Sequence, residues 1–196
     1  MKIVLASASP RRAEILRAAG IAFEVLAVDV DETPRASESP EAMCRRLADA
    51  KARAAAARLG VTGKPTIVVA ADTTVEIEGA ILGKPDSPED ARQMLRRLSG
   101  KMHRVLTALS LIRLPDSAAR TDLELTSVRF SALSAAEIDA YVATGEPMDK
   151  AGAYAIQGRA GCFVEGVEGC YFNVVGLPLA RLYRNLKELG WSPHTH

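Results

Sequence analysis

Two rhythms of apolar and polar positions run through this chain. Residues 2–6 (KIVLA), 21–28 (IAFEVLAV) and 66–71 (TIVVAA) are short unbroken apolar runs, the pattern of strands covered on both faces. Residues 73–78 alternate, Gly79 turns and Ile81-Leu82 returns, which predicts a hairpin. Residues 103–113 and 123–130 read as two long strands about a turn at Pro115-Asp116, and LELTSVRF in the second alternates with period two. Residues 162–175 read as one more strand. Helical segments fall between these runs. Ser9-Pro10, Ser39-Pro40 and Ser87-Pro88 each set a capping hydroxyl before a proline at the first helical position. Gly20, Gly60 and Gly100 stop the three helices. Ser134 with Glu137 is a capping box, and Gly145 closes that helix. Pro178 opens a last helix whose Leu179, Leu182, Tyr183, Leu186 and Leu189 share one face, and the tail from Trp191 to His196 is expected to fray. Strands and helices interleave, so the expectation is an α/β fold with a mixed sheet, one domain over 1–196.

Composition narrows the function classes. The 196 residues are 48% hydrophobic and 25% charged, a globular balance that excludes disorder and fibres. Lys plus Arg number 25 and Asp plus Glu 24, a net charge of +1 that gives no overall field for nucleic acid or an anionic membrane. Any anion site must be local. No apolar run approaches the ~20 residues of a membrane helix, and MKIVLASASPRR lacks the apolar core of roughly 7–15 residues that a signal peptide needs. Three Cys, at 44, 162 and 170, make no CxxC pair. Reduced thiols and a cytoplasmic protein are expected.

Five places carry chemistry. In SASPRR, Arg11 and Arg12 fall in the first turn of a helix, where the dipole already places positive charge. An anion there would turn a cost into a gain, and with Ser7 and Ser9 the group resembles a phosphate cradle. In DVDET, Asp29, Asp31 and Glu32 repel one another unless solvated or shared with a cation, and oxygen donors of this kind suit Mg²⁺ or Mn²⁺. Asp72 ends the run TIVVAAD, with the hydroxyls of Thr73 and Thr74 following. A carboxylate at the end of a buried strand sits where α/β folds place ligands and can accept a proton from an attacking water. In GKP, Gly83 and Pro85 hold Lys84 in a defined direction. In AYAIQG, the amide of Gln157 can pair with a base edge. Taken singly, each has a plainer reading: a solvated Arg pair, an acidic loop, a cap, a loop lysine, a glycine-rich hairpin. Lys51 alone reads as a surface lysine. His103 reads as structural, since no nucleophile motif accompanies it. Cys162 and Cys170 facing across a hairpin would not make a zinc site. There is no GxxxxGK[ST] and no GxGxxG, so neither an ordinary ATPase nor a dinucleotide fold is indicated.

Taken together, these pieces are similar to the Maf family of nucleoside triphosphate pyrophosphatases. LASASPRRAEIL, DVDET, RLADAKA, AADTTV with GAILGKP, LSGKMHRVLT, and DKAGAYAIQG with NVVGLPL follow one another over nearly the whole chain. The resemblance implies an elongated mixed sheet flanked by helices, with two lobes and a central cleft, as in inosine triphosphatase-like folds. It implies hydrolysis of a nucleoside triphosphate to monophosphate and pyrophosphate, a divalent metal (Mg²⁺ or Mn²⁺), and a homodimer with no nucleic-acid or membrane partner. It makes Asp72 the proton acceptor and Glu32, with Asp72, the metal-holding carboxylate. It places Ser7, Arg12, Lys51 and Lys84 on phosphate. Arg11, Thr73 and Gln157 match the branch acting on dTTP and UTP, a range expected to include modified pyrimidine nucleotides. The alternatives are 7-methyl-GTP or another noncanonical nucleotide, or a non-catalytic regulator of septum formation. Ala155 and Ala108 stand where the resemblance leads one to expect glycine, and Cys170 where a polar residue is more usual.

Overall fold

The computed structural model describes residues 1–60 and 63–193, so the end of the tail lies outside the described residues. The elements run β1 (Lys2–Leu5), α1 (Pro10–Ala18), β2 (Glu24–Val25), α2 (Pro40–Leu59), β3 (Thr66–Ile77), β4 (Ala80–Leu82), α3 (Pro88–Leu98), β5 (Met102–Leu114), β6 (Ala118–Phe130), α4 (Ala135–Val142), β7 (Val164–Glu168), α5 (Tyr171–Val175) and α6 (Leu179–Glu188). Three 3₁₀ turns lie between α4 and β7. The strands form one seven-stranded sheet in the order β2-β1-β3-β5-β6-β7, with β4 on β3. β1 runs parallel to β2 and β3, while β3–β4 and β6–β7 are antiparallel, so the sheet is mixed as the interleaving predicts. Among the described residues no helix is long and apolar enough to cross a membrane.

The chain divides into two compact units. The first comprises residues 1–72, 107–124 and 176–196. In it the alanine-rich face of α2 (Ala52, Ala55) packs on Ala6, Val68, Ala70, Ile112 and Leu114. Small side chains there let helix and sheet backbones approach closely. The second comprises residues 73–106 and 125–175. Its core joins Ala91, Leu95 and Leu98 of α3, Ile138, Tyr141 and Val142 of α4, and Val75, Val105, Val128 and Phe130 of the strands.

The serine-proline starts of α1, α2 and α3 and the capping box of α4 are found where the pattern places them. Other elements differ from the pattern. The run 21–28 makes only a two-residue edge strand; Leu26 and Val28 pack against the α2 side of the core from an irregular segment instead. β3 does not stop at Asp72 but continues to Ile77, since Thr73, Thr74 and Val75 are good strand formers and the charge has a partner. β6 begins at Ala118 rather than 123. The stretch 162–175 is not one strand: β7 ends at Glu168, and at Gly169 (φ +129) a Cβ would meet Thr126 Oγ1 at 3.0 Å, so the chain turns there into α5. On α6, Tyr183 is 40% exposed, and Asn185 lies buried beside Leu182 and Leu186.

His103 is the buried polar centre of the second unit. Its Nε2 lies 2.8 Å from Tyr154 Oη, and its ring meets Phe130 and Tyr154 edge-on at 5.0 and 5.4 Å. Burial pushes its pKa down to about 4. In the unfolded chain the value is ~6.5, so as pH falls from there toward 4 the unfolded state takes up a proton that the folded state refuses. Stability is therefore lost in that window. Urea unfolding at pH 7 and pH 4.5 should show the wild type losing about 2–3 kcal/mol more than His103→Gln; equal losses would contradict a neutral buried imidazole.

Candidate active site

β1 hands the chain to the site. Ala6 N–H still bonds the Val69 carbonyl at 2.8 Å, so Ser7 leaves the sheet held beside β3. Ser7 Oγ accepts from Ser9 N–H at 3.2 Å and from Arg12 Nη1 at 3.0 Å. With both lone pairs engaged, its proton is what it has to offer. Arg12 Nε donates to the Gly176 carbonyl at 2.9 Å, and these two anchors fix the guanidinium plane. Burial lowers the Arg12 pKa from its ordinary value, against the favourable fields of Asp72, Cys44 and Glu32 and with the repulsion of Arg11. Ser39, Ser87 and Ser134 each accept a bond from the first turn of their helices; Ser9, at the same position of α1, does not. Of the four serine-started helices, the one carrying the Arg pair is thus the one its serine leaves uncapped.

The carboxylates converge on one ammonium. Lys51, on α2, donates to Asp72 Oδ1 at 2.7 Å and pairs with Glu32 Oε1 at 2.5 Å. The Lys51 and Asp72 side chains are only 13% and 10% exposed, whereas Glu32 is 53% exposed. One end of the triad is therefore desolvated and the other is wet, and the interior pair is the one whose separation would leave an unpaired buried charge. The acidic loop divides its labour. Asp31 Oδ1 accepts from Thr33 N–H at 2.9 Å, and hydrogen bonding from Thr33 lowers its pKa, so Asp31 shapes the turn. Arg46 ties the same loop to α2 through Glu38 at 2.7 Å and the Thr33 carbonyl at 3.2 Å. Glu32 alone of the three acids turns to Lys51; Asp29 is exposed.

Cys44 and Gly176 take part without having been legible as site residues. Cys44 is fully buried; its Sγ donates to the Asp72 carbonyl at 3.1 Å and accepts from Ala108 N–H at 3.2 Å. It stands seven residues before Lys51, two turns along the same helical face. That spacing was the available signal. Gly176, in the NVVGLPL block, contributes only a backbone carbonyl, which no side-chain reading can find.

The donor set fits a divalent cation of the Mg²⁺ kind. Glu32 and Asp72 are hard oxygen donors already held about one positive charge, and Mg²⁺ is commonly bound by one or two carboxylates with the rest of its shell from substrate phosphate and water. Among the described residues no three His, Cys, Asp or Glu side chains cluster as an all-protein metal cage.

Of the residues singled out in the sequence, Ser7, Arg12, Glu32, Lys51 and Asp72 come together in the first unit, with Arg11 near enough to act on Arg12. Asp72 holds its place from the middle of β3 rather than from a strand end. Thr73, Lys84 and Gln157 belong to the second unit. Thr73 is partly buried, while Lys84 and Gln157 are exposed. The loop of Lys84 is tied by Gly152 N–H to the Gly83 carbonyl at 3.0 Å, and the turn of Gln157 by Gly158 N–H to the Ala155 carbonyl at 3.0 Å. Ala155 is not at positive φ, so a side chain there costs the turn nothing. Cys162 is exposed, Cys170 partly buried, and neither is in a disulfide.

Residues 2–189 match a family described as Maf-like protein. The chain is 47% identical over 191 residues to a dTTP/UTP pyrophosphatase of Pelotomaculum thermopropionicum, covering 97% of this chain and 98% of the relative. It is 49% identical over 195 residues to a dTTP/UTP pyrophosphatase of a Shewanella species (strain MR-7), covering 97% and 99%. Among solved structures, the Staphylococcus aureus Ham1 protein matches with a TM-score of 0.52 over 96% of this chain and all of its own, at 17% identity, a likeness of fold.

Lys51→Met should cost about 2–4 kcal/mol of stability at pH 7, because it strands the carboxylate of Asp72. Most of that loss should return in Lys51→Met/Asp72→Asn. Millimolar Mg²⁺ should raise the melting temperature of Lys51→Met more than that of the wild type. A single variant as stable as the wild type would remove the ammonium from its compensating role.

Proposed function

The chain belongs to the Maf-like family, and from that premise we propose that it hydrolyses dTTP and UTP to the nucleoside monophosphate and pyrophosphate, with modified pyrimidine nucleotides in its range. It is a nucleoside triphosphate pyrophosphatase. The observation that carries the reading is the triad at Lys51: an ammonium and a fixed guanidinium stand beside a buried carboxylate, the pairing of cations with a proton acceptor that phosphoanhydride hydrolysis needs.

A triphosphate brings roughly four negative charges. Arg12, pinned by Ser7 and Gly176, and Lys51 meet them without having to reorganise, and Arg11 and the Ser7 hydroxyl add donors at the uncapped tip of α1. By its match to the family motif, Lys84 is proposed as a further phosphate-binding cation. The water oxygen bonds to the α-phosphorus as the bond between that phosphorus and the oxygen bridging to the β-phosphate breaks, and pyrophosphate leaves with that electron pair. The water's proton passes to Asp72, whose Oδ1 is taken by Lys51, leaving Oδ2 to accept it. Glu32 and Asp72 would hold Mg²⁺ or Mn²⁺, which when bound neutralises phosphate charge. Gln157 can accept from N3–H and donate to O4 of uracil or thymine, and since neither contact involves carbon 5, modified pyrimidines fit the same pairing. Thr73 and Arg11 complete the selecting set. The active form is expected to be a cytoplasmic homodimer.

The purified protein with Mg²⁺ or Mn²⁺ should release pyrophosphate from dTTP and UTP in preference to other nucleotides. Asp72→Asn should lower kcat at least a thousandfold while the protein stays folded, and Gln157→Ala should raise KM for dTTP and UTP with little change in kcat. Activity that survives Asp72→Asn, release of orthophosphate alone, preference for 7-methyl-GTP, or no hydrolysis of any nucleotide would each overturn the reading.

A further inference from the structure

Gln157 is exposed and stands inside the turn that Gly158 N–H closes on the Ala155 carbonyl. An exposed side chain on a short turn is ordinarily mobile, and ordering it consumes part of any binding free energy. Here a carboxylate of the same unit meets the turn. Glu146 Oε2 accepts from Arg159 N–H at 3.2 Å, and its Oε1 accepts from the Tyr141 hydroxyl at 2.9 Å. Tyr141 is buried on α4 with its ring edge-on to Phe163 at 5.4 Å, so the hydroxyl is a fixed point. Burial and the hydrogen bond to Glu146 raise the Tyr141 pKa above its ordinary value, and a hydrogen bond with the Ala155 backbone opposes them. The phenol therefore keeps its proton and goes on donating it to Glu146. A continuous path runs from Ala155 through Tyr141 and Glu146 to Arg159, bracketing Gln157 on both sides. Tyr154, just before the turn, is held in its own way, with its Oη 2.8 Å from His103 Nε2.

Gly158 shows how closely that carboxylate approaches. Its φ and ψ are −101° and −156°, extended values that any residue adopts, so the backbone does not require glycine there. The requirement is one of space: a Cβ on Gly158 would stand 2.5 Å from Glu146 Cδ, closer than real contacts fall. The side chain missing after Gln157 is the room that Glu146 occupies. We propose that Glu146 is a positioning residue for base recognition: by bridging the Tyr141 hydroxyl to Arg159 N–H, it holds the turn so that the Gln157 amide meets the nucleobase already oriented. The proposal rests on the assignment of Gln157 to the base. Glu146 has no part in the chemistry at phosphorus, so its removal should show in KM and not in kcat.

Three measurements on the full-length protein test this: steady-state kinetics with UTP, inhibition by inorganic tripolyphosphate, which has no base, and nitrogen-15 relaxation of the Gln157 backbone amide. Glu146→Ala should raise KM for UTP roughly five- to tenfold with little change in kcat. It should leave inhibition by tripolyphosphate as it is, and it should make the Gln157 amide mobile where the wild type holds it rigid. Glu146→Gln, whose side-chain amide can still accept from Arg159 N–H and donate to the Tyr141 oxygen, should recover most of the loss. Gly158→Ala should raise KM as Glu146→Ala does. In the double variant it should add little, since the carboxylate it would displace is already gone. The proposal fails if Glu146→Ala weakens tripolyphosphate as much as UTP, if the Gln157 amide stays rigid, or if the effects of the two substitutions simply multiply. A raised KM in Gln157→Ala with none in Glu146→Ala would refute the positioning role alone, whereas no rise in either would refute the base assignment beneath it.

Discussion

One ammonium between two carboxylates governs the first unit. Asp72 lies in the middle of a strand buried along almost its whole length, where an ionised group without a partner would cost several kcal/mol. Lys51 makes that position tolerable, and in doing so it draws Glu32 and the acidic loop onto the same point. The requirement propagates outward. α2 must lie close enough for Lys51 to reach, which its alanine face permits. The loop at 31–38 must bring Glu32 back over the helix, which Asp31 and Arg46 enforce.

Arg12 solves the complementary problem. A guanidinium in a poorly hydrated place needs acceptors, and it finds a serine hydroxyl five residues back and a carbonyl 164 residues on. These contacts join the beginning of the chain to the segment leading into α6. They also hold the positive charge of Arg12 in place before any anion arrives, so little reorganisation is left for the binding event.

The sequence makes much of this legible because charge and punctuation are local signals. Serine-proline pairs, the Ser134–Glu137 box and the alternation after residue 73 mark their elements directly. The charged members of the site stand out because clustered like charges need explaining. What was hidden is what depends on tertiary context. Residues 21–28 are apolar enough for a strand but pack from an irregular segment, because ladder pairing is not written in hydrophobicity. β3 runs past Asp72 because a distant lysine neutralises the charge that would otherwise end it. Lys51 looked like a solvated surface residue for the same reason. Gly176 acts through its backbone, and Cys44 through a thiol that a sequence presents as one more small apolar residue.

Cys44 and Lys51 grip the same residue, one through its carbonyl and the other through its carboxylate, and both ride on α2. The helix therefore works as a slide rule: its axial setting fixes the backbone and the ionic surroundings of Asp72 at once. Bulkier side chains at Ala48, Ala52 or Ala55, none of them charged and each wholly enclosed, would shift that setting by fractions of the 1.5 Å rise per residue. Lineages of this fold thus have a means of retuning their most constrained carboxylate through methyl groups alone.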